Sequence, residues 1–384
     1  MEKLRWGMIG GGPGASIGRT HRFAAELDGQ YELVAGVFSR DIDKSRSLAR
    51  ELGVAADRVY SDFETMAAEE AKRSDGVQCI SIVTPNDTHA PVSIAFMKRG
   101  VHVICDKPMT TSFADAIKVL AEAKKNHVVF ALVQNYSAYP MVIEARQLVA
   151  SGRIGKVRLV HAEYAQGSRN RLVEAEGDKQ MLWRINREIS GPSMVLGDLG
   201  THAHHLMRYI SGLEVEKLSA ELTTVVPGRK SDDNAVINVH FQGGARGLFW
   251  ASMAATGNAH GLRIRVFGEK ASLHWDHETP NELRLCFESA PYQTLRRGEP
   301  YLSAETQRAT RVKIGQAEGY IEAFANIYLD VANAIRNKNN KNESEDVSRF
   351  YANALDGAIA MKFIEAAVSS SERAAAWTDA KVNL

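Results

Sequence analysis

Nine residues, GGGPGASIG from Gly10 to Gly18, follow the apolar run LRWGMI and precede a stretch of helical periodicity. Glycines at such a place let a turn be tight, so that backbone N–H groups and the following helix N-terminus can close on a pyrophosphate. Gly10 and Gly12 fit the first two glycines of G-x-G-x-x-G, position 15 is alanine, and the closing glycine, Gly18, comes three residues late. Gly12 and Gly14 still offer N–H groups in this enlarged turn. Strand, turn and helix in that order point to a dinucleotide. The next strand ends in VFSRDIDKS, where an acidic residue would hold the ribose hydroxyl of NAD and an arginine would accommodate the 2′-phosphate of NADP. Ser39 and Arg40 suit NADP, whereas Asp41 and Asp43 stand slightly late for NAD. The lean is towards NAD, with NADP left open.

Further candidates lie where other strands end. SIVTPNDTHA, Ser81 to Ala90, offers Thr84, Pro85 and Asn86 to line a cofactor, with His89 opening the next helix; Asn86 or Asp87 would serve equally as an ordinary helix cap. VHVICDKPMT sets Asp106 and Lys107 at a strand tip before a proline. A lysine there can donate to a substrate hydroxyl or steady developing charge, although most lysines are simply solvated. His202, His204 and His205 raise the question of zinc, but no cysteine stands near them and no HExxH pattern occurs, so no metal is expected. Arg169 and Arg171 suit either an anion clamp or a solvated loop.

Two kinds of element must position these residues. From residue 3 to about 135, short apolar runs (LRWGMIG, YELVAGVFS, VQCISIVT, VHVIC, VVFALVQN) alternate with helical segments near 18–27, 43–52, 62–73, 88–99 and 112–126. Strands buried on both faces look like this, so the expectation is a parallel sheet with helices on both sides. After a linking helix near 138–150 come strands without intervening helices: SGRIGKVRLVHAEYAQG, VEKLSAELTTVV, DNAVINVHFQGG, ARGLFWASMAA, GLRIRVFGEKASLHW and ELRLCF. They predict an open, largely antiparallel sheet in an α+β domain. Helices near 317–337 and 347–371 close the chain, separated by NKNNKNESED, an exposed loop. The expected domains are therefore a Rossmann dinucleotide-binding domain over 1–137 and an α+β substrate and oligomerisation domain over 138–384, the last helices able to pack back on the first.

At 384 residues, 45% apolar, 24% charged and a net charge of +1, the chain has ordinary globular composition and no electrostatic footprint for nucleic acid. The three cysteines, Cys79, Cys105 and Cys286, are widely spaced and suit a reducing compartment. No secretory signal and no membrane-length apolar run occur, so a cytoplasmic location is expected.

Taken in succession, GMIGGG…HR, TPNDTH, CDKP and MLWR…SGPSMVLGDLGTHAHHLMRYISG resemble the Gfo/Idh/MocA family, the group of glucose-fructose oxidoreductase and inositol 2-dehydrogenase. The resemblance runs in order along nearly the whole chain. It places the family's E-K-P lysine on Lys107, with Asp106 for the glutamate, and its aspartate and histidine, four residues apart on one helix face, on Asp198 and His202. It implies that His202 takes the proton of a substrate hydroxyl while nicotinamide receives hydride, with Lys107 and Asp198 positioning substrate and tuning charge. Trp183 and Arg184 match its W-R pair, near the nicotinamide or the substrate. The chain departs from the family at His205, where several members carry an acid, and at Ser190-Gly191-Pro192, where a triple glycine is usual. The implied activity is NAD(P)-dependent oxidation of a secondary hydroxyl of a sugar, glycoside or cyclitol in a homodimer or homotetramer. A redox-neutral NAD-dependent glycoside cleavage and a catalytically silent nucleotide sensor are the alternatives.

Overall fold

A computed structural model describes residues 2–339 and 350–382. Contacts divide the chain into two units, the first comprising 1–110, 114–135 and 320–358, the second 111–113, 136–319 and 359–384. The first unit runs β1 (Leu4–Gly10), α1 (Ser16–Leu27), β2 (Tyr31–Val37), α2 (Ile42–Glu51), α3 (Phe63–Glu70), β3 (Cys79–Val83), α4 (His89–Met97), β4 (His102–Asp106), α5 (Phe113–Lys125) and β5 (Phe130–Val133). All five strands pair in parallel in the order β2-β1-β3-β4-β5. Every residue of β3 and β5 is buried, which is why these strands read as unbroken apolar runs rather than alternating ones. Strand order reverses between β1 and β3, and in such sheets ligands sit beyond the carboxyl ends of the strands at that reversal. The glycine turn follows β1 there, and the TPN segment follows β3.

The second unit and the closing segments follow as α6 (Pro140–Ala150), β6 (Val157–Ala165), α7 (Lys179–Arg184), α8 (Arg187–Ser190), α9 (Thr201–Ser211), β7 (Val215–Thr223), β8 (Asn234–Phe241), β9 (Arg246–Ser252), β10 (Leu262–Gly268), β11 (Ala271–Asp276), β12 (Glu282–Phe287), β13 (Gln293–Arg296), α10 (Ala304–Arg308), α11 (Tyr320–Asn339), α12 (Ala354–Glu372) and β14 (Thr378–Asp379). Its nine strands form one sheet in the order β13-β12-β11-β10-β6-β9-β8-β7-β14, antiparallel except for the parallel pair β6 and β9. Side chains alternate: Ala235, Ile237, Val239 and Phe241 of β8 are buried, while Val236 and Asn238 between them face outwards. One face is thus core and the other open.

Three expectations need correction. GLRIRVFGEKASLHW is not one strand but the hairpin β10–β11, because the chain reverses after Gly268, whose Cα leaves only 2.1 Å between a β-carbon and the Ile154 carbonyl oxygen. The helix α11 continues through Asn339, so the first three residues of NKNNKNESED are helical; the remainder of that stretch, and the start of the helix expected near 347, lie outside the described residues. The short helices α7 and α8 and the strand β13 were not foreseen.

α11 belongs to the first unit, and a buried hydrogen-bond chain ties it to the nucleotide sheet. The Tyr328 hydroxyl lies 2.8 Å from Nδ1 of His21 on α1 and 2.6 Å from Oγ of Ser81 on β3, and Trp6 Nε1 of β1 donates to the same Ser81 oxygen at 2.9 Å. Burial holds His21 down to about 4, so the imidazole is neutral and the chain carries no buried charge. Each of these groups would be costly to bury unpartnered, and together they fix α1 against the sheet. No helix among the described residues is long and apolar enough to cross a membrane.

Candidate active site

The glycine turn answers the puzzle of its own spacing. Gly10, Gly11 and Gly14 hold φ of +90°, +73° and +83°, values that residues with a β-carbon rarely adopt. A β-carbon on Gly12 would stand 2.5 Å from the Phe38 carbonyl oxygen, and one on Gly18 would stand 2.3 Å from Gly11 Cα. Gly18 therefore performs the third glycine's task, close seating of the helix on the turn, from inside α1; the extra residues pass through Pro13 and Gly14, and around Gly14 there is open space. The N-cap position of α1 is Ala15, which supplies no side-chain cap, and the first turn holds no acid. The helix start thus offers its N–H groups and positive dipole end to an anion. Arg22 Nη1 reaches back to the Gly11 carbonyl at 3.0 Å and braces the turn from the helix. These residues fit a dinucleotide pyrophosphate.

Around this cradle the candidates separate into those that can touch a cofactor and those that hold the edge in shape. Beyond β2, Ser39 Oγ accepts from Asp41 N at 3.1 Å, and Asp41 caps α2 by accepting from the backbone of Asp43 and Lys44. Capping occupies Asp41, and Arg40 is exposed. After β3, Thr84 Oγ1 accepts from Thr88 Oγ1 at 2.6 Å, Pro85 precedes a tight turn at Asn86–Thr88, and Asn86 is buried. Thr88, not Asn86 or Asp87, is the N-cap position of α4. His89 is 1% exposed, with Nδ1 2.7 Å from the Pro108 carbonyl and Nε2 2.9 Å from the Thr84 carbonyl. It links the TPN turn to the CDKP turn. Lys107 stands half-buried just past β4, its N–H bonded to Asp106 Oδ1 at 2.9 Å.

In the second unit, the elements carrying Asp198 and His202 are fixed by a residue the sequence did not flag. The Asp232 carboxylate accepts from Ser193 Oγ at 2.5 Å and from the N–H groups of Met194 and Val195 at 3.3 and 3.1 Å, a cap supplied from the β7–β8 connection. The next turn, Leu196–Gly200, is a π-helix, a rare geometry that recurs at functional sites, and it leads into α9. Asp198 lies in that wide turn and His202 in α9, so their four-residue spacing spans a π-turn and not an unbroken α-helix. Arg184 Nε donates to Asp198 Oδ2 at 3.1 Å, and its guanidinium lies 4.4 Å from the Trp183 ring centre. Arg184 of the W-R pair therefore sits on the Asp198 carboxylate, with Trp183 against its guanidinium.

His202 is 7% exposed and is flanked by two tyrosines: Tyr136 meets it edge-on at 4.7 Å between ring centres, and Tyr164 stands at 6.0 Å. The neighbouring histidines serve other surroundings. His204 stacks on Phe363 at 4.2 Å, where burial holds its pKa well below the ordinary range, and His205 stacks with Tyr209. Among the described residues no group of three metal-binding side chains is assembled. Arg169 pairs with Asp178 at 3.5 Å, and its backbone carbonyl and that of Arg171 accept from the buried Arg229. That arrangement ties down the loop. Tyr136, Tyr164 and Asp232 escaped the sequence reading because each meets its partners across tens of residues.

Comparison with known proteins gives the same outline. Residues 4–134 match the profile of the oxidoreductase family with an NAD-binding Rossmann fold, and residues 142–274 match the GFO/IDH/MocA C-terminal domain. An uncharacterized oxidoreductase of Bacillus subtilis, YfiI, is 36% identical over 99% of this chain and 98% of its own. A crystal structure of an inositol dehydrogenase homolog from Azotobacter vinelandii in complex with NAD+ superposes with a TM-score of 0.95 at 34% identity, covering 98% of this chain and 97% of that one. The same homolog with NADH and myo-inositol gives 0.92 over 98% of each chain, again at 34% identity. Levoglucosan dehydrogenase of Pseudarthrobacter phenanthrenivorans is 27% identical over 78% of this chain and 79% of its own.

The seating of Gly18 on Gly11 carries a test. Gly18→Ala should raise the dissociation constant for NAD at least ~10-fold, about 1.4 kcal/mol, by calorimetric titration. Unchanged affinity in a folded Gly18→Ala protein would show that the turn does not hold the cofactor through this contact.

Proposed function

Because this chain belongs to the GFO/IDH/MocA family of oxidoreductases and carries its NAD-binding Rossmann domain, we propose that it oxidises a secondary hydroxyl of a cyclitol or sugar. The observation that carries this reading is the arrangement around His202: a buried imidazole between two tyrosines, one π-turn beyond an Asp198 held by Arg184. A secondary alcohol releases hydride readily only while its O–H is being deprotonated, and an imidazole ordinarily titrates where that proton can be taken at neutral pH. His202 accepts the proton on a ring nitrogen. Lys107 donates to the substrate oxygen and offsets its developing charge, and Asp198, oriented by Arg184, accepts from a substrate hydroxyl. NAD, when bound, supplies the hydride acceptor. Gly10, Gly12, Gly14, Thr84, Pro85 and Asn86 line it, and His89 keeps their turn in place. A cyclitol is favoured because myo-inositol is the ligand in the Azotobacter homolog, and levoglucosan dehydrogenase extends the range to an anhydrosugar.

The same reading makes the protein a homodimer or homotetramer. Leu159, Val236 and Leu248, between 40% and 43% exposed, lie on the outward face of the adjacent strands β6, β8 and β9, with Trp250 beside them. An apolar stripe on an otherwise polar sheet face suits a second copy of the chain.

Two measurements test these proposals. With NAD and a panel of cyclitols, sugars and glycosides, absorbance of reduced nicotinamide should rise for at least one substrate, and His202→Gln should lower turnover by about 10²–10⁴-fold while leaving NAD affinity near wild type. NAD binding without oxidation of any panel member would favour a nucleotide sensor, and glycoside cleavage without net reduction would mean a redox-neutral enzyme. Light scattering should give at least twice the monomer mass; a monomer would refute the oligomer.

A further inference from the structure

Behind the two tyrosines that flank His202 lies a second group of histidine and tyrosine side chains. The Tyr136 and Tyr164 hydroxyls lie 3.1 Å apart, and both reach Nε2 of His260, at 2.7 and 2.8 Å. His260 sits in the connection between β9 and β10, where Glu278 accepts from its N–H at 2.9 Å and from that of Gly261 at 3.2 Å. The ring of His277 lies 4.1 Å from that of His260, and its Nε2 is 3.1 Å from the Tyr139 hydroxyl. Tyr139 in turn stacks on Tyr136, with ring centres 6.1 Å apart and planes 15° apart. The result is a closed cluster of three tyrosines and two histidines, drawn from the segment after β5, from β6, and from the loops that flank β10 and β11.

Counting protons fixes how the cluster works. Burial holds His260 down to about 4, so at neutral pH its ring is neutral and Nε2 either accepts one hydrogen or donates one. Two phenol hydroxyls share that single nitrogen. With Nε2 as acceptor, one tyrosine donates to it and the other can donate to the first tyrosine's oxygen, so the triangle holds both phenols against the imidazole. A rotation of either phenol breaks two contacts at once. Those same phenol rings are the groups packed edge-on and tilted against His202. Deleting the imidazole would take one contact from each hydroxyl and loosen the hold on both rings.

We infer that His260 is a positioning residue for His202: by pinning the hydroxyls of Tyr136 and Tyr164 it fixes the two rings that hold the His202 imidazole in the orientation needed to take a proton. The inference rests on the role proposed above for His202 in catalysis, but its structural half is independent of any substrate.

The test uses the full-length protein with histidine labelled with carbon-13 at Cε1, the His202 resonance being assigned by its loss in His202→Gln. That proton lies in the ring currents of Tyr136 and Tyr164, so His260→Ala should move or broaden the signal, and His260→Gln, whose amide oxygen can stand where Nε2 stood, should restore it. An unmoved signal in His260→Ala overturns the inference, and so does a shift that His260→Gln reproduces. In steady-state assays with NAD and myo-inositol, His260→Ala should lower kcat about tenfold, with KM and NAD affinity within twofold, and should cost nothing further in a His202→Gln background, because residues acting as a unit are not additive. Loss in KM alone, or full additivity, would contradict positioning. If His202→Gln itself retains turnover, the catalytic reading of His202 fails, and the resonance alone then decides whether His260 orders that ring.

Discussion

Two backbones in the first unit meet with no room for a side chain between them. Where Gly18 of α1 rests on Gly11, a β-carbon would come within 2.3 Å of Cα, and everything on the cofactor side depends on that contact. It sets how near the N-terminus of α1 lies to the end of β1, and therefore whether free N–H groups and the helix dipole can act together on a pyrophosphate. The rest of the unit defends the geometry. Arg22 holds the turn, and the His21–Tyr328–Ser81–Trp6 chain secures α1 to β1 and β3 from below. A neutral His21 is what makes that chain affordable at the centre of a sheet.

The second unit solves a different problem, that of presenting an aspartate and a histidine from one helical segment with their neighbours kept apart. Its device is a π-turn at Leu196–Gly200, capped from a distance by Asp232. The turn widens the helix where Asp198 projects, Arg184 takes up that carboxylate, and α9 then delivers His202 between two tyrosines while sending His204 to Phe363. Adjacent histidines thus acquire unrelated environments, and clustering in sequence is no evidence of a shared ligand.

What was legible in the sequence had local physical causes. Burial on both faces makes β3 and β5 continuous apolar runs, alternation marks β8, and the glycine turn shows itself because only glycine adopts its φ values. Family resemblance supplied Asp198 and His202, which local pattern could not single out among the four histidines and acids of the segment Leu196–Ser211. Residues that act through distant partners remained hidden: Asp232 lies 39 positions from Ser193, and His260 lies 124 from Tyr136. Other residues have close neighbours as partners that the pattern alone does not assign. Asp41, which stands slightly late for a ribose ligand, caps α2, and the His89 ring joins the Thr84 and Pro108 carbonyls. From Gly261 to Trp275 the alternation slips by one residue, with Leu262, Ile264 and Val266 buried on one arm and Ala271, Leu273 and Trp275 on the other, and that slip is the mark of a hairpin rather than one strand.

In the proposed oxidation a hydrogen leaves a carbon bearing a hydroxyl and arrives on nicotinamide. The most direct measurement follows that hydrogen: the protein is incubated with NAD and cyclitols or sugars deuterated at every carbon, and the reduced nicotinamide is recovered for mass spectrometry and proton NMR. One deuterium is expected at C4 of the nicotinamide, on a single face of the ring. Reduced nicotinamide without label, or deuterium lost to solvent with none transferred, would contradict that oxidation.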